Sequence, residues 1–111
     1  MTEDDDAALG FDWDAGNIAK CTKHGVSLME IMEALQSPSL RRRRDHVHSV
    51  AKERVQAFAS TRAGRHIFVV FTRRHRHGMM LIRPISARYM HRSEVDALQE
   101  ENSGFHDRRG S

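Results

Sequence analysis

Cysteine is almost absent: Cys21 stands alone in 111 residues. A single thiol excludes an internal disulfide framework, and with no apolar N-terminal stretch the sequence carries no mark of secretion, so a cytoplasmic protein is expected. Within a helical pattern Cys21 reads as a small buried hydrophobe rather than a nucleophile. Long hydrophobic runs are also missing. None approaches the roughly 20 residues that cross a bilayer as a helix, so no membrane role is expected. Aromatic residues make up only 6% of the chain, which leaves few rings for stacking on nucleobases. Trp13 and Tyr89 are the candidates, and Trp13 also suits burial beside a helix start. There are no internal repeats.

What is abundant is positive charge. Eighteen Lys and Arg face fifteen Asp and Glu, and four of those acids (Glu3, Asp4, Asp5, Asp6) lie in the first ten residues. Residues 11–111 therefore hold eighteen bases against eleven acids, or +7. Such a body favours polyanionic partners, although charge alone does not choose among them. Residues 1–10 read as a disordered acidic leader, 11–101 as one domain, and 102–111 as a polar flexible tail.

Local signals order the domain. Phe11 to Trp13 suits a short strand, and Asp14 an N-cap with Trp13 and Ile18 as a hydrophobic staple; the first helix then runs from Ala15 to about His24, closed by Gly25. Ser27-Leu28-Met29-Glu30 is a capping box opening a second helix, whose apolar face is Leu28, Ile31, Met32 and Leu35 and which Ser37-Pro38 stops. Arg41 to Arg44 reads as a solvated loop or edge strand. Strands follow over Arg54 to Ser60, His66 to Thr72 and Met79 to Ile85, joined by short glycine-bearing links that favour antiparallel hairpins. A last helix is expected from about Arg92 to Glu101. The order β-α-α-β-β-β-α predicts an α+β fold: a small antiparallel sheet with helices on one face and arginines gathered on the other.

The chemistry centres on Met79 to Arg88. Alternation sets Arg83 among the apolar neighbours Met79, Leu81 and Ile85, where a permanently charged guanidinium fork wants an anion, either a phosphate or an acid of the protein itself. Three readings compete. His46-x-His48 and His75-x-His77 are compact pairs, but neither has a third ligand in a metal-site pattern, so no metal and no cofactor is expected. Metal-free phosphodiester cleavage has its groups in Lys20, Lys23, His24, His48, Glu53, Arg54, Arg83 and Arg88. RNA supplies its own nucleophile, so the protein needs a base for the 2′-OH (Glu53 or a histidine), an acid for the leaving oxygen (Lys23 or a histidine), and cations for the transition state (Arg54, Arg83, Arg88). The third reading is binding of phosphate backbone or an acidic partner without reaction.

Phe11-Asp12-Trp13-Asp14, Asn17, Lys23-His24-Gly25-Val26-Ser27, His48-Ser49, Glu53-Arg54 and Arg83-Pro84-Ile85-Ser86-Ala87-Arg88 resemble, in order and spacing, the BrnT family of toxins. The resemblance spans about residues 11–100. It implies a type II toxin with a fold like the RelE ribonucleases, arresting translation by cutting RNA. It also implies neutralisation by a BrnA-like antitoxin encoded beside it, in a hetero-oligomer that meets operator DNA only through the antitoxin. The expected catalytic set is Glu53, Arg54, Arg83, Arg88, Lys23 and His24, with Lys20, Arg65, His48 and Trp13 as RNA contacts. The chain departs from the family pattern at Arg41 to Arg44, where an acidic or mixed stretch is usual, and at His91, where threonine is frequent. A non-catalytic antitoxin partner acting as operator co-repressor is the alternative expectation.

Overall fold

The computed structural model describes residues 10–44 and 53–110, with side chains described as far as Glu101. Strand β1 (Gly10–Phe11) leads into helix α1 (Ala15–Thr22), helix α2 (Leu28–Leu35), strands β2 (Arg41–Arg44), β3 (Val55–Ser60), β4 (His66–Arg76) and β5 (Met79–Tyr89), and helix α3 (Arg92–Gly110). The sheet order is β1-β5-β4-β3-β2. All neighbours run antiparallel except β1, which adds to β5 in parallel. The α+β class and the order of elements agree with the expectation, with Arg41–Arg44 supplying an additional edge strand. Its four side chains are exposed, and a row of cations on an open edge discourages pairing with another chain.

Both helix starts are fixed by reciprocal hydrogen bonds. Asp14 caps α1 by accepting from the Asn17 amide at 3.1 Å, while Asn17 Oδ1 accepts from the Asp14 amide at 2.7 Å. Ser27 and Glu30 do the same for α2, at 3.1 and 3.0 Å. Each pair satisfies two donors that a bare helix end would leave unpaired. Helix α1 stops at Thr22, short of the expected His24, and the chain turns at Gly25 with φ 93°. That left-handed geometry is open to glycine without a Cβ penalty.

The core lies between these helices and one face of the sheet. Val55, Ala57 and Ala59 of β3, Ile67, Val69 and Phe71 of β4, and Ala87 of β5 pack with Cys21, Val26, Ile31, Ala34 and Leu35. Burying each larger side chain contributes about 1.5–3 kcal/mol, so this single cluster carries most of the fold's hydrophobic stabilisation. Alternation along β3 and β4 sends Gln56, Phe58, His66, Phe68 and Val70 to the opposite face.

Strands β4 and β5 are longer than expected. Only His77 and Gly78 are left to turn, with φ 53° and 78°. Two successive positive φ values match a two-residue hairpin whose twist suits the flanking strands. The first strand is correspondingly displaced, ending at Phe11 rather than Trp13. Helix α3 continues past the expected end at Glu101 to Gly110; no proline interrupts it, and Gly104 alone costs only about 1 kcal/mol.

Candidate nucleic-acid interface

Arg83 and Arg88 are five positions apart, so a regular strand would turn them to opposite faces. They share a face because β5 bulges. Val70 pairs with Ser86 and Phe71 with Pro84, which leaves Ile85 with no partner. An extra residue in one strand resets its alternation. Arg83 then pairs with Thr72 and Arg88 with Phe68, and Thr72 and Phe68 have the same parity on β4. The sequence reading of Arg83 and Ile85 as residues of one unbroken alternation is corrected by this bulge.

Asn17 holds the bulged segment in place. Its Nδ2 donates to the carbonyls of Pro84 and Asp12, both at 2.9 Å, and the residue is 4% exposed. One side chain therefore ties the start of α1, the end of the first extended segment and the irregular point of β5.

The face opposite α1 and α2 is strongly cationic. Register places Arg41, Phe58, Phe68 and Arg88 side by side across β2, β3, β4 and β5. Arg43 lies 5.1 Å from the centre of the Phe58 ring and Arg88 lies 4.7 Å from that of Phe68. His66 has the same parity on β4, and it lines a small groove with Arg41, Phe58, Leu98 and Gln99.

The arginines are held by carboxylates. Arg83, with 17% of its side chain exposed, reaches Asp14 Oδ2 at 2.9 Å and Asp12 Oδ2 at 3.4 Å; Arg76 shares the latter oxygen at 3.0 Å. Asp12 and Asp14 project together because Phe11 and Trp13, on the alternate parity, pack toward the core. The anion that Arg83 wants is thus provided within the chain. The Asn17 amide, followed by the Arg83 guanidinium, lowers the Asp14 carboxyl below the ordinary range. Arg88 donates through both terminal nitrogens to Glu94, each at 2.8 Å. That pairing, with an added bond from the His91 amide, pulls the Glu94 carboxyl down to about 2, and it raises Arg88 in turn.

The other expected residues are spread more widely. Glu53 precedes β3, is exposed and pairs with Arg44 at 3.2 Å. Its carbonyl accepts from the Thr72 hydroxyl at 2.8 Å, which brings its backbone beside the Arg83 partner. Alternation carried back from β3 gives Arg54, not Glu53, the parity of Phe58. Lys20 is exposed on the last turn of α1, and Lys23 and His24 are exposed beyond it. They belong to the helix side of the sheet, where the Gly25 carbonyl meets the Tyr89 hydroxyl at 3.4 Å. Tyr89 is engaged on both sides: Glu30 accepts from its hydroxyl at 2.7 Å, and Arg65 lies 3.9 Å over its ring. Trp13 stacks on Phe11 at 6.5 Å and packs on the core. His48 and His46 lie outside the described residues.

The sequence reading missed Phe58, Phe68 and His66. Period-two alternation within β3 and β4 separates them from the core residues, so their shared face was readable once the strands were paired. Among the described residues, no three or more His, Cys, Asp or Glu side chains gather in a group that could hold a metal ion. A larger groove of about 750 Å³, lined by Met29, Met32 and Pro38 of the α2 region and by the β3–β4 turn, contains none of the expected site residues.

Comparison with known families matches residues 13–94 to "Ribonuclease toxin, BrnT, of type II toxin-antitoxin system". The chain belongs to the BrnT toxin family. The BrnT match starts at Trp13, the ring packed beneath the Asp12–Asp14 pair, and ends at Glu94, the residue that grips Arg88. It therefore covers every expected site residue. As a type II system, the family implies a protein antitoxin as partner. No curated protein matches the chain. No helix among the described residues is long and apolar enough to span a membrane.

Proposed function

We propose that the chain is a metal-independent endoribonuclease that arrests translation in the cytoplasm by cutting RNA, and that a BrnA-like antitoxin encoded beside it holds it inactive in a hetero-oligomer. Operator DNA is met only through that complex. The observation that carries this reading is the β5 bulge, which gathers Arg83 and Arg88 on one face with Arg41, Arg43 and His66.

A phosphodiester laid on this face meets fixed cations from several strands. Attack by the 2′-OH places a second negative charge on the phosphorus oxygens, and preorganised guanidinium forks stabilise that charge without reorganising. Glu94 occupies the Arg88 fork through two oxygens, the same bidentate arrangement that two phosphate oxygens adopt. His66 supplies an imidazole, the side chain suited to passing protons near neutral pH. Of the other expected residues, Arg54 has the parity of this face and Glu53 does not; Lys20, Lys23, His24 and Arg65 lie on the helix side, and Trp13 packs on the core. Their expected base, acid and RNA-contact roles are therefore not carried to this cluster, and His66 is the group proposed for proton transfer in their place.

Expression in a growing culture tests the reading. The intact chain arrests growth and amino-acid incorporation. Arg88→Ala, Arg83→Ala and His66→Ala relieve the arrest while the proteins stay folded, since losing a guanidinium donor to a developing oxyanion, or the group that passes protons, costs roughly 100-fold or more in rate. Full toxicity in all three variants sinks the site. A second reading is favoured by the pairing of Arg83 and Arg88 with acids of the same chain. On it the protein only binds its antitoxin and strengthens operator repression; RNA left intact under every condition, with tighter operator binding by the complex, would establish that role.

A further inference from the structure

We propose that Phe58 and Phe68 form a stacking platform for unpaired nucleobases, with Arg43, Arg41 and Arg88 around it taking the phosphates of the same single-stranded RNA. This inference rests on the ribonuclease reading and assigns where its substrate is gripped. The two rings are cross-strand partners with centroids 5.1 Å apart and planes at 42°. They stand on the face opposite the main core and are half-buried there, outside the apolar cluster that fills the protein.

Two phenylalanines on a sheet face away from the core forgo much of the stabilisation that full burial would give. Among the described residues a guanidinium lies over each ring, and Leu98 of α3 lines the groove beside Phe58. Arg43 stands above Phe58 at 5.1 Å and Arg88 above Phe68 at 4.7 Å. A guanidinium is a flat cation that stacks on an aromatic face. A nucleobase is a larger flat group that stacks on the same face more extensively. When a base takes the ring, the displaced arginine head remains tethered beside it, within reach of the phosphate that joins that base to the next. Rings and charges then act on adjacent parts of one nucleotide.

The row continues on either side. Arg41 is level with Phe58, and the span from Arg41 to Arg88 is three strand spacings, about 14 Å. A sheet that presents rings in its middle and cations at its rim fits a flexible single strand, whose bases can splay outward. It does not fit a duplex, whose bases are already stacked. Stacking of this kind is tolerant of sequence, because every base has a π face.

A double-mutant cycle tests the assignment. The probe is a short 2′-O-methyl single-stranded RNA, which keeps its bases but cannot be cut by 2′-OH attack, with an abasic version of equal length. Wild-type protein binds the intact strand about tenfold or more tightly than the abasic one, and Phe58→Leu with Phe68→Leu removes that preference. Leucine keeps the apolar volume but has no π face, and thermal unfolding verifies that the variant is folded. Binding of the abasic strand and its salt dependence stay unchanged, because the arginines remain. An equal preference for intact RNA in wild type and variant overturns the platform, even if the protein cleaves RNA as proposed. Failure of the wild type both to bind the probe and to cleave ordinary RNA overturns the platform together with the ribonuclease reading. If the variant instead loses its antitoxin while the RNA cycle is unaffected, the ring pair is a protein interface and the platform falls.

Discussion

Replacing Asn17 by alanine removes one small side chain, yet it strips partners from three backbone groups at once: the Asp14 amide and the Asp12 and Pro84 carbonyls. Asn17 is buried, so water does not readily replace what is lost. Each hydrogen bond contributes about 1 kcal/mol net, and leaving a buried group unsatisfied costs about 1–3 kcal/mol. Asp12 and Asp14 are more accessible than Pro84, so the sum is set at about 3 kcal/mol rather than the upper limit. For a domain of this size that loss lowers the thermal midpoint by about 10–15 °C, and it consumes a large share of a total stability of about 5–15 kcal/mol. Urea unfolding followed by circular dichroism measures it directly. The same change releases the bulge that orients Arg83, so toxicity falls even at temperatures where the variant remains folded. A stability loss below about 0.5 kcal/mol, with toxicity intact, would refute the argument that Asn17 pins the β5 irregularity.

Further outcomes follow from the charged pairs and the thiol. Glu94 titrates at about 2 in the folded protein against an ordinary value of 4.5; because the folded value is depressed, its pairing stabilises the protein above about pH 4.5 and is lost as pH falls toward 2. Glu94→Gln removes this dependence in that window, which thermal melts at successive pH values reveal. Freeing the Arg88 fork also tightens binding of 2′-O-methyl RNA several-fold, and unchanged affinity argues against Arg88 as a phosphate contact. Burial pushes the Cys21 thiol up to about 11, so iodoacetamide at pH 8 labels it only when the protein unfolds. Fast labelling of the native protein would contradict its burial.

Much of the fold was legible because its signals are local. Ser27 and Glu30 announced α2, Asp14 announced α1, and the apolar runs of β3, β4 and β5 set out a meander. The second half of the α1 cap was less visible, since Asn17 acts there in place of the usual Glu or Gln. The site was harder to read because its decisive feature is a pairing irregularity. No residue type between Arg83 and Arg88 declares that Ile85 will be left without a partner, and without the bulge one of the two arginines faces the core. The carboxylates that hold Arg83 were equally hidden: Asp12 and Asp14 are adjacent to it only because β1 adds in parallel to β5. Phe58 and Phe68 were passed over for Trp13 and Tyr89, although the structure commits Trp13 to the core and Tyr89 to Glu30 and Arg65.

The most direct measurement is the chemistry of the ends made from single-stranded RNA by purified protein in EDTA. The account predicts upstream fragments ending in 2′,3′-cyclic phosphate, downstream fragments beginning with a 5′-hydroxyl, and no such products from Arg88→Ala. Fragments with 3′-hydroxyl and 5′-phosphate ends, or cleavage abolished by EDTA and restored by a divalent metal, would contradict it.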